Sequence, residues 1–244
     1  MITDLTAQPI RFTADLPAWQ RLLEALGARL ILERPGWLVY AVGSGRVALH
    51  QASDEQPPGT ALAFSTTTPV PDAVTTAAAA GVPISLGRPD HGEAGMVSAP
   101  DGTAFTLDAP TPVEQDGPPA DPRLLVLPIW YGPDTAMIRD VLQGVGARPR
   151  LVADDGIWTD LTCEGGGLVA AHRADDAALE LAFEWDGDVE EALALLTDAG
   201  VRATLIDETY SRTVQVEDPD GIKEVWINER QSDHYGYTDA SATP

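Results

Sequence analysis

Apolar positions along this chain fall into a short cycle that runs four times. Residues 5–13 have the composition of a strand. Trp19, Leu22, Leu23 and Leu26 then recur at i, i+3, i+4 and i+7, one face of a helix. Asp15 is placed to cap that helix, Pro17 suits its first turn, and Gly27 ends it. Three short strands are predicted next, at 29–33, 37–42 and 46–51, with Pro35-Gly36 and Gly43-Ser44-Gly45 as the turns between them. The order is β-α-β-β-β. It starts again with a strand at 60–66, a helix from about residue 71 to 80, and strands at 82–86, 95–99 and 103–107.

The second half repeats the cycle. A strand is predicted at 124–130, followed by a helix that Asp134 caps and that carries Met137, Ile138, Val141 and Leu142. Strands follow near 148–152, 157–162 and 168–172. A fourth unit has a strand at 178–185, a helix from about 189 to 199, and strands near 202–205, 212–217 and 223–228. Short identities recur 119 positions apart: Gly27-Ala28-Arg29 with Gly146-Ala147-Arg148, Leu62-Ala63-Phe64 with Leu181-Ala182-Phe183, and Pro100-Asp101-Gly102 with Pro219-Asp220-Gly221. Pro followed by Asp-Gly marks a tight turn, because Pro presets φ and Gly accepts a positive φ. The pattern reads as a tandem duplication: a first half at 1–116, a linker at 117–122, a second half at 123–230, and a polar tail at 231–244. The predicted class is α+β, with curled mixed sheets enclosing a pocket and helices outside.

Charge narrows the partners. Asp and Glu number 38 against 15 Lys and Arg, a formal charge of −23. Such an excess disfavours nucleic acid and anionic membranes. The single cysteine, Cys163, cannot form an internal disulfide, and no 18-residue apolar run occurs. The expectation is a cytoplasmic protein that works as a monomer, an internal pseudo-dimer, with a dimer through its outer faces as the alternative.

Four β-α-β-β-β units, with Asp15-Leu16-Pro17-Ala18 after the first strand and Asp218-Pro219-Asp220-Gly221 before the last, resemble the vicinal oxygen chelate superfamily. That superfamily includes glyoxalase I, bleomycin-resistance proteins, fosfomycin-resistance enzymes and extradiol dioxygenases. The resemblance spans about residues 5–228 and implies a sheet-lined pocket that in many members holds a divalent metal. Carried over by position, one site would use Gln8, Glu180 and either Glu224 or Val225, and the other Leu127, Ala61 and Thr106. The second set lacks donors. In the first, counting from Gly221 puts Val225 on the ligand face, whereas a turn shorter by one residue puts Glu224 there.

The resulting expectation is a bleomycin-resistance-like protein that binds a small aromatic or drug-like molecule without a cofactor, in resistance or secondary metabolism. Trp37, Trp130, Tyr131, Trp158 and Trp226 are the candidate ligand contacts, and Trp185 and Tyr210 lie in or beside sheet segments too. The alternative is a lyase, isomerase or dioxygenase with one divalent ion (Ni, Co, Mn, Zn or Fe) on Gln8, Glu180 and Glu224. A metal-free enzyme with Glu180 or Glu224 as base is a further alternative. His50 and His172 are read as surface histidines at strand ends, His91 as loop, and Cys163 as a small apolar strand residue. Gly165-Gly166-Gly167 is read as a hairpin turn.

Overall fold

Helix starts follow the capping signals in the sequence. The carboxylates of Asp15, Asp134 and Asp188 accept from the backbone N–H groups of Ala18 (3.0 Å), Met137 (2.9 Å) and Glu190 (2.9 Å). The helices they open are α1 (Leu16–Ala25), α3 (Thr135–Gly144) and α4 (Val189–Asp198); α2 (Val70–Ala79) follows Pro69. The computed structural model describes residues 2–89, 91–207, 211–232 and 234–240. Among the described residues no helix is long and apolar enough to cross a membrane.

The strands make four mixed sheets, two in each half. In the first half, Arg29–Arg34, Trp37–Ala41, Arg46–Gln51, Ile10–Thr13 and Gly59–Ala61 lie side by side in that order. The partner sheet has Thr6–Ala7, Ala63–Ser65, Ala104–Asp108, Ala94–Ser98 and Ile84–Gly87. The second half repeats both orders, with Arg148–Ala153 to Ala178–Glu180 forming one sheet and Leu124–Val126 to Ala203–Asp207 the other. The α+β class and the β-α-β-β-β order are therefore present in both halves.

The opening strand of each unit differs from its sequence expectation. The strand expected at 5–13 breaks at Gln8-Pro9, and that at 124–130 breaks at Leu127-Pro128; 60–66 and 178–185 break at Leu62 and Leu181. Proline has no N–H for a ladder, so the chain leaves one sheet and enters its partner there. The carbonyls still find donors: Ala48 N–H reaches Pro9 O at 3.0 Å, and Ala170 N–H reaches Pro128 O at 2.9 Å. Two such strands crossing antiparallel join the paired sheets of each half into one curved wall.

The tail, which has no clear element in the sequence, supplies a strand. Tyr237–Asp239 pairs antiparallel with Leu151–Ala153 and becomes the sixth strand of its sheet. It docks beside a bulge at Arg150, whose carbonyl accepts from Ala240 N–H at 2.7 Å. The first half does the same with the segment just before the linker: Glu114 N–H reaches the carbonyl of the bulge residue Ile31 at 2.8 Å.

The halves interlock. One buried cluster includes Trp19 and Phe64 from the first half with Trp130 and Trp185 from the second. The glycine turn at 165–167 runs against the first strand of the other half, where Gly165 N–H donates to Leu5 O (2.7 Å) and Ala7 N–H to Gly166 O (2.9 Å). A Cβ at Gly165 would lie 2.3 Å from the Asp4 carbonyl oxygen, so only glycine fits. Gly165→Ala is expected to cost about 3 kcal/mol through forced separation of the two backbones, read as a lowered denaturant midpoint with an unchanged slope.

The Asp-Pro-Asp-Gly turn is a second lock. Arg11, which faces the helix layer, is 6% exposed and donates to Asp218 (2.7 Å) and Asp220 (3.0 Å) from the other half. Asp220 also accepts from Thr13 Oγ1 (2.9 Å), Ala14 N–H (2.8 Å) and Trp19 Nε1 (3.0 Å). In the reciprocal place Asp101 accepts from Trp130 Nε1 at 2.9 Å.

Candidate functional site

Strand alternation decides which side chains enter the cup of the second half. Leu127, Ile129 and Tyr131 point into it, and Trp130 between them is fully buried in the core. On the last strand Glu224, Trp226 and Asn228 face the cup, whereas Val225 and Ile227 are core residues. Parallel pairing explains this choice. Trp226 stands opposite Ala182, as Thr106 stands opposite Ala63, so the turn after Gly221 is one residue longer than its counterpart. The expected shortening is thus corrected to a lengthening: Trp226 takes the place of Thr106, and Glu224, not Val225, lies on the cup side two residues before it.

The cavity has a volume of about 1090 Å³, the upper end of the range for small-molecule sites. One stretch of wall is apolar: Leu127, Ile129, Leu168, Ala170 and Ala182 are buried together, with Tyr131, Trp158 and Trp226 packed against them. His172 stands between Tyr131 and Trp158, at ring distances of 5.2 and 5.7 Å. Burial pushes its pKa down, opposed by the Arg173 backbone and the Glu180 carboxylate. The expectation of a surface histidine is thus corrected for His172, because strand pairing with Trp158 turns it into the cup wall. His50 holds the equivalent place in the first half, between Phe12 and Trp37.

The adjoining stretch of the same strands is charged: Asp160 follows Trp158 by two residues and Glu184 follows Ala182 by two. The bulge aims Arg150 into the cup, where its guanidinium donates to Asp160 through Nε (3.0 Å) and Nη2 (2.9 Å) and to Glu184 through Nη1 (2.8 Å). Leu151 N–H adds a further bond to Asp160 at 3.0 Å. Tyr237 of the tail lies over this group, and its hydroxyl pKa is raised by burial and by the charges of Asp155 and Asp160. The sequence analysis missed Arg150, Asp160, Glu184 and Tyr237. A signal was available, because the equivalent first-half residues are Ile31, Val39 and Ser65. Three charged side chains at one end of one cup, against none at the equivalent places of the other, mark the halves as different.

The candidate residues scatter accordingly. Glu180, Glu224, Tyr131, Trp158 and Trp226 line the cup; Trp130 and Trp185 are core residues, and Trp37 belongs to the first half. Tyr210 lies outside the described residues. Gln8 is 8% exposed, accepts from Thr111 Oγ1 at 3.0 Å, and does not line the cavity. Each half pairs its own opening strands, Ile10–Thr13 with Gly59–Ala61 and Ile129–Gly132 with Ala178–Glu180, so the cups close within halves. The set Gln8, Glu180 and Glu224 therefore does not assemble in one cup. In the first half Ile31, Leu32, Val39 and Ala48 pack together beneath the segment just before the linker, and Thr111 O accepts from Arg46 at 2.7 Å. Burial pushes the Cys163 thiol pKa up, in keeping with an apolar strand residue. His91 bonds Asp108 at 3.0 Å, and His234 sits in the tail.

No family model and no curated protein matches the chain. Solved structures do. The 2,3-dioxygenase LapB from Pseudomonas sp. KL28 aligns over 98% of this chain and 94% of its own, with a TM-score of 0.65 at 15% identity. Homoprotocatechuate 2,3-dioxygenase from Brevibacterium fuscum, in complex with 3,4-dihydroxyphenylacetate, aligns over 100% and 85%, with 0.65 and 16%. The Mn(II)-bound glyoxalase from Novosphingobium aromaticivorans aligns over 100% and 86%, with 0.63 and 14%.

The glyoxalase corrects the expectation of no cofactor: a protein of this architecture holds a divalent ion, and a single ion is the compatible alternative. The donor set carried over from the resemblance does not fit one. Glu180 is the acidic residue of its row, ion-paired with Lys223, while the facing positions are Leu127, Ile129 and Trp226. Among the described residues no three His, Cys, Asp or Glu side chains converge on an ion position. Gln8→Ala is accordingly expected to leave the metal content of Mn²⁺-incubated protein unchanged, measured as ions per chain by mass spectrometry. Helices outside, two curled sheet pairs and whole-chain superposition show that the chain has the fold of these 2,3-dioxygenases and of this glyoxalase.

Proposed function

We propose that the second-half cup binds a small organic molecule with a flat aromatic face. The observation that carries the reading is the asymmetry of the two cups. The first is packed with aliphatic side chains under the segment just before the linker, whereas the second keeps a cavity of about 1090 Å³ beside Tyr131, Trp158 and Trp226. Flat rings gain contact area on such walls, and edge or face contacts add about 1 kcal/mol each. The polar wall at Arg150, Asp160 and Glu184 would orient the ligand by hydrogen bonds. Trp226→Ala is expected to weaken an aromatic ligand at least tenfold, about 1.4 kcal/mol, with Trp37→Ala without effect. Titration calorimetry with both variants checks this, and equal losses would remove the reading.

A second reading is an enzyme acting on such a molecule, with Glu180 or Glu224 moving a proton at the cup rim. The catechol 2,3-dioxygenases and the Mn(II)-bound glyoxalase among the structural neighbours favour it. Oxygen uptake with 3,4-dihydroxyphenylacetate, and isomerisation of a thiohemiacetal, each with and without added Mn²⁺ or Fe²⁺, test it directly.

A further inference from the structure

The charge of the second cup is unusual for a site walled by tryptophans. Eight carboxylates line the cavity against two cations, Arg150 and Lys223. Two of the eight are deeply buried: Asp160 is 3% exposed and Glu184 4%. They share one guanidinium, so the buried group carries one negative charge in excess. Holding an uncompensated carboxylate away from water is unfavourable. The fold does not require it, since Ile31, Val39 and Ser65 fill the same places in the first half.

Arg150 is committed largely to its own carboxylates. Its Nε, Nη1 and Nη2 groups all donate to Asp160 or Glu184. The second cation, Lys223, is paired with Glu180 at the rim. What the wall offers a ligand is therefore acceptor oxygen and negative potential. Next to it on the same strands stand the rings of Trp158 and Trp226, and indole attracts positive charge as well as apolar surface. At the rim, Asp155, Asp175 and Asp176 are exposed and add to the same field, steering cations inward.

We propose that the second cup selects organic cations: a protonated amine or amidinium carried on a flat aromatic body. The cationic group is seated against Asp160 and Glu184 and the ring against Trp158 and Trp226. The bound cation neutralises the excess charge, which the protein alone leaves unmatched. This rests on the reading of the cup as an organic-ligand site, and names the class of molecule it takes.

The test uses three probes with one skeleton: 1-naphthylmethylamine, 1-naphthalenemethanol and 1-naphthoic acid. Full-length protein labelled with 5-fluorotryptophan is titrated with each, following the ¹⁹F resonances of Trp158 and Trp226, with Trp37 as an internal control. The amine is expected to bind at least tenfold more tightly than the alcohol, and the acid more weakly than either. Glu184→Gln should narrow the amine-to-alcohol ratio. If that variant does not fold, the rim pair Asp175→Asn with Asp176→Asn lowers the same field without touching the buried group, and should narrow the ratio too. An amine no tighter than the alcohol, or an acid that binds best, overturns the cation inference and leaves the organic-ligand site standing. If none of the three shifts Trp158 or Trp226, the organic-ligand reading falls and the cation inference with it.

Discussion

Asp220→Ala is expected to lower stability by about 4 kcal/mol and the melting temperature by about 10 °C for a chain of this size. Its carboxylate collects Arg11, Thr13, Ala14 and Trp19 from the opposite half. Truncation leaves a hydroxyl, an indole N–H and a backbone N–H without their acceptor, and leaves Arg11 with Asp218 as its one carboxylate partner beside Thr60. Burial raises the Asp220 pKa, but the hydrogen bonds from Ala14, Trp19, Arg11 and Thr13 outweigh it and hold the group below its ordinary value. A depressed carboxylate stabilises above the ordinary carboxylate range and loses that contribution as pH falls through its folded value. The difference between wild type and Asp220→Asn should therefore shrink on acidification, measured by urea unfolding across a pH series. A constant difference would mean that Asp220 acts by shape and not by charge.

That lock shows what could be read in the chain and what could not. The turn at Asp218–Gly221 and the strand carrying Arg11 are both legible in the sequence, yet their contact joins residues 207 to 209 positions apart. Local pattern places each piece on a strand or turn and carries no information about which half it meets. Arg11 on the helix side reads as an unfavourable placement for the same reason, because its two carboxylates come from the far end of the chain. Helices are a different matter: α1 and α3 follow from Asp15 and Asp134 and an i, i+3, i+4 apolar stripe, which are local.

The site was legible only in part, again for physical reasons. Period-two alternation puts Tyr131 in the cup once Trp130 is known to be core, but the alternation has no absolute phase. Phase on the last strand depends on one extra residue in a turn, which is why Glu224 and Val225 were both open. Arg150 was invisible because a bulge interrupts the alternation at that residue. The break of the opening strands at Pro9 and Pro128 was readable from proline alone, though its consequence, closure of each cup within its own half, needs the pairing of distant strands. Comparison of equivalent positions between halves was the one route from sequence to the polar wall: Ile31, Val39 and Ser65 against Arg150, Asp160 and Glu184.

Cutting the chain after Arg230 is expected to leave the fold cooperative and open the cup. The segment removed contributes Tyr237–Asp239, three residues paired with Leu151–Ala153, plus the bonds of Gly236 O with Asp154 and of Ala240 N–H with Arg150. None of its described residues belongs to the buried core clusters, so the loss of stability should stay near 1 kcal/mol. Access is another matter. Tyr235, Gly236 and Tyr237 line the cavity, and Tyr237 shields the Asp160 side of the wall. Without them Trp158 and Trp226 should be quenched by acrylamide more strongly than in the full chain, with no ligand needed for the measurement. Dissociation of an aromatic ligand should then quicken about tenfold, because one wall of its enclosure is gone. The first half supplies the comparison: residues 111–115 hold the equivalent place on Ile31 but are continuous with the next half, so that cover cannot leave. A three-residue edge strand held by few ladder bonds can. Hydrogen exchange at residues 237–239 should be faster than at 158–162 in the same sheet and should slow when ligand is bound. Exchange as slow as in the sheet centre, or quenching unchanged by the truncation, would show that the tail is a fixed edge strand and that the ligand enters elsewhere.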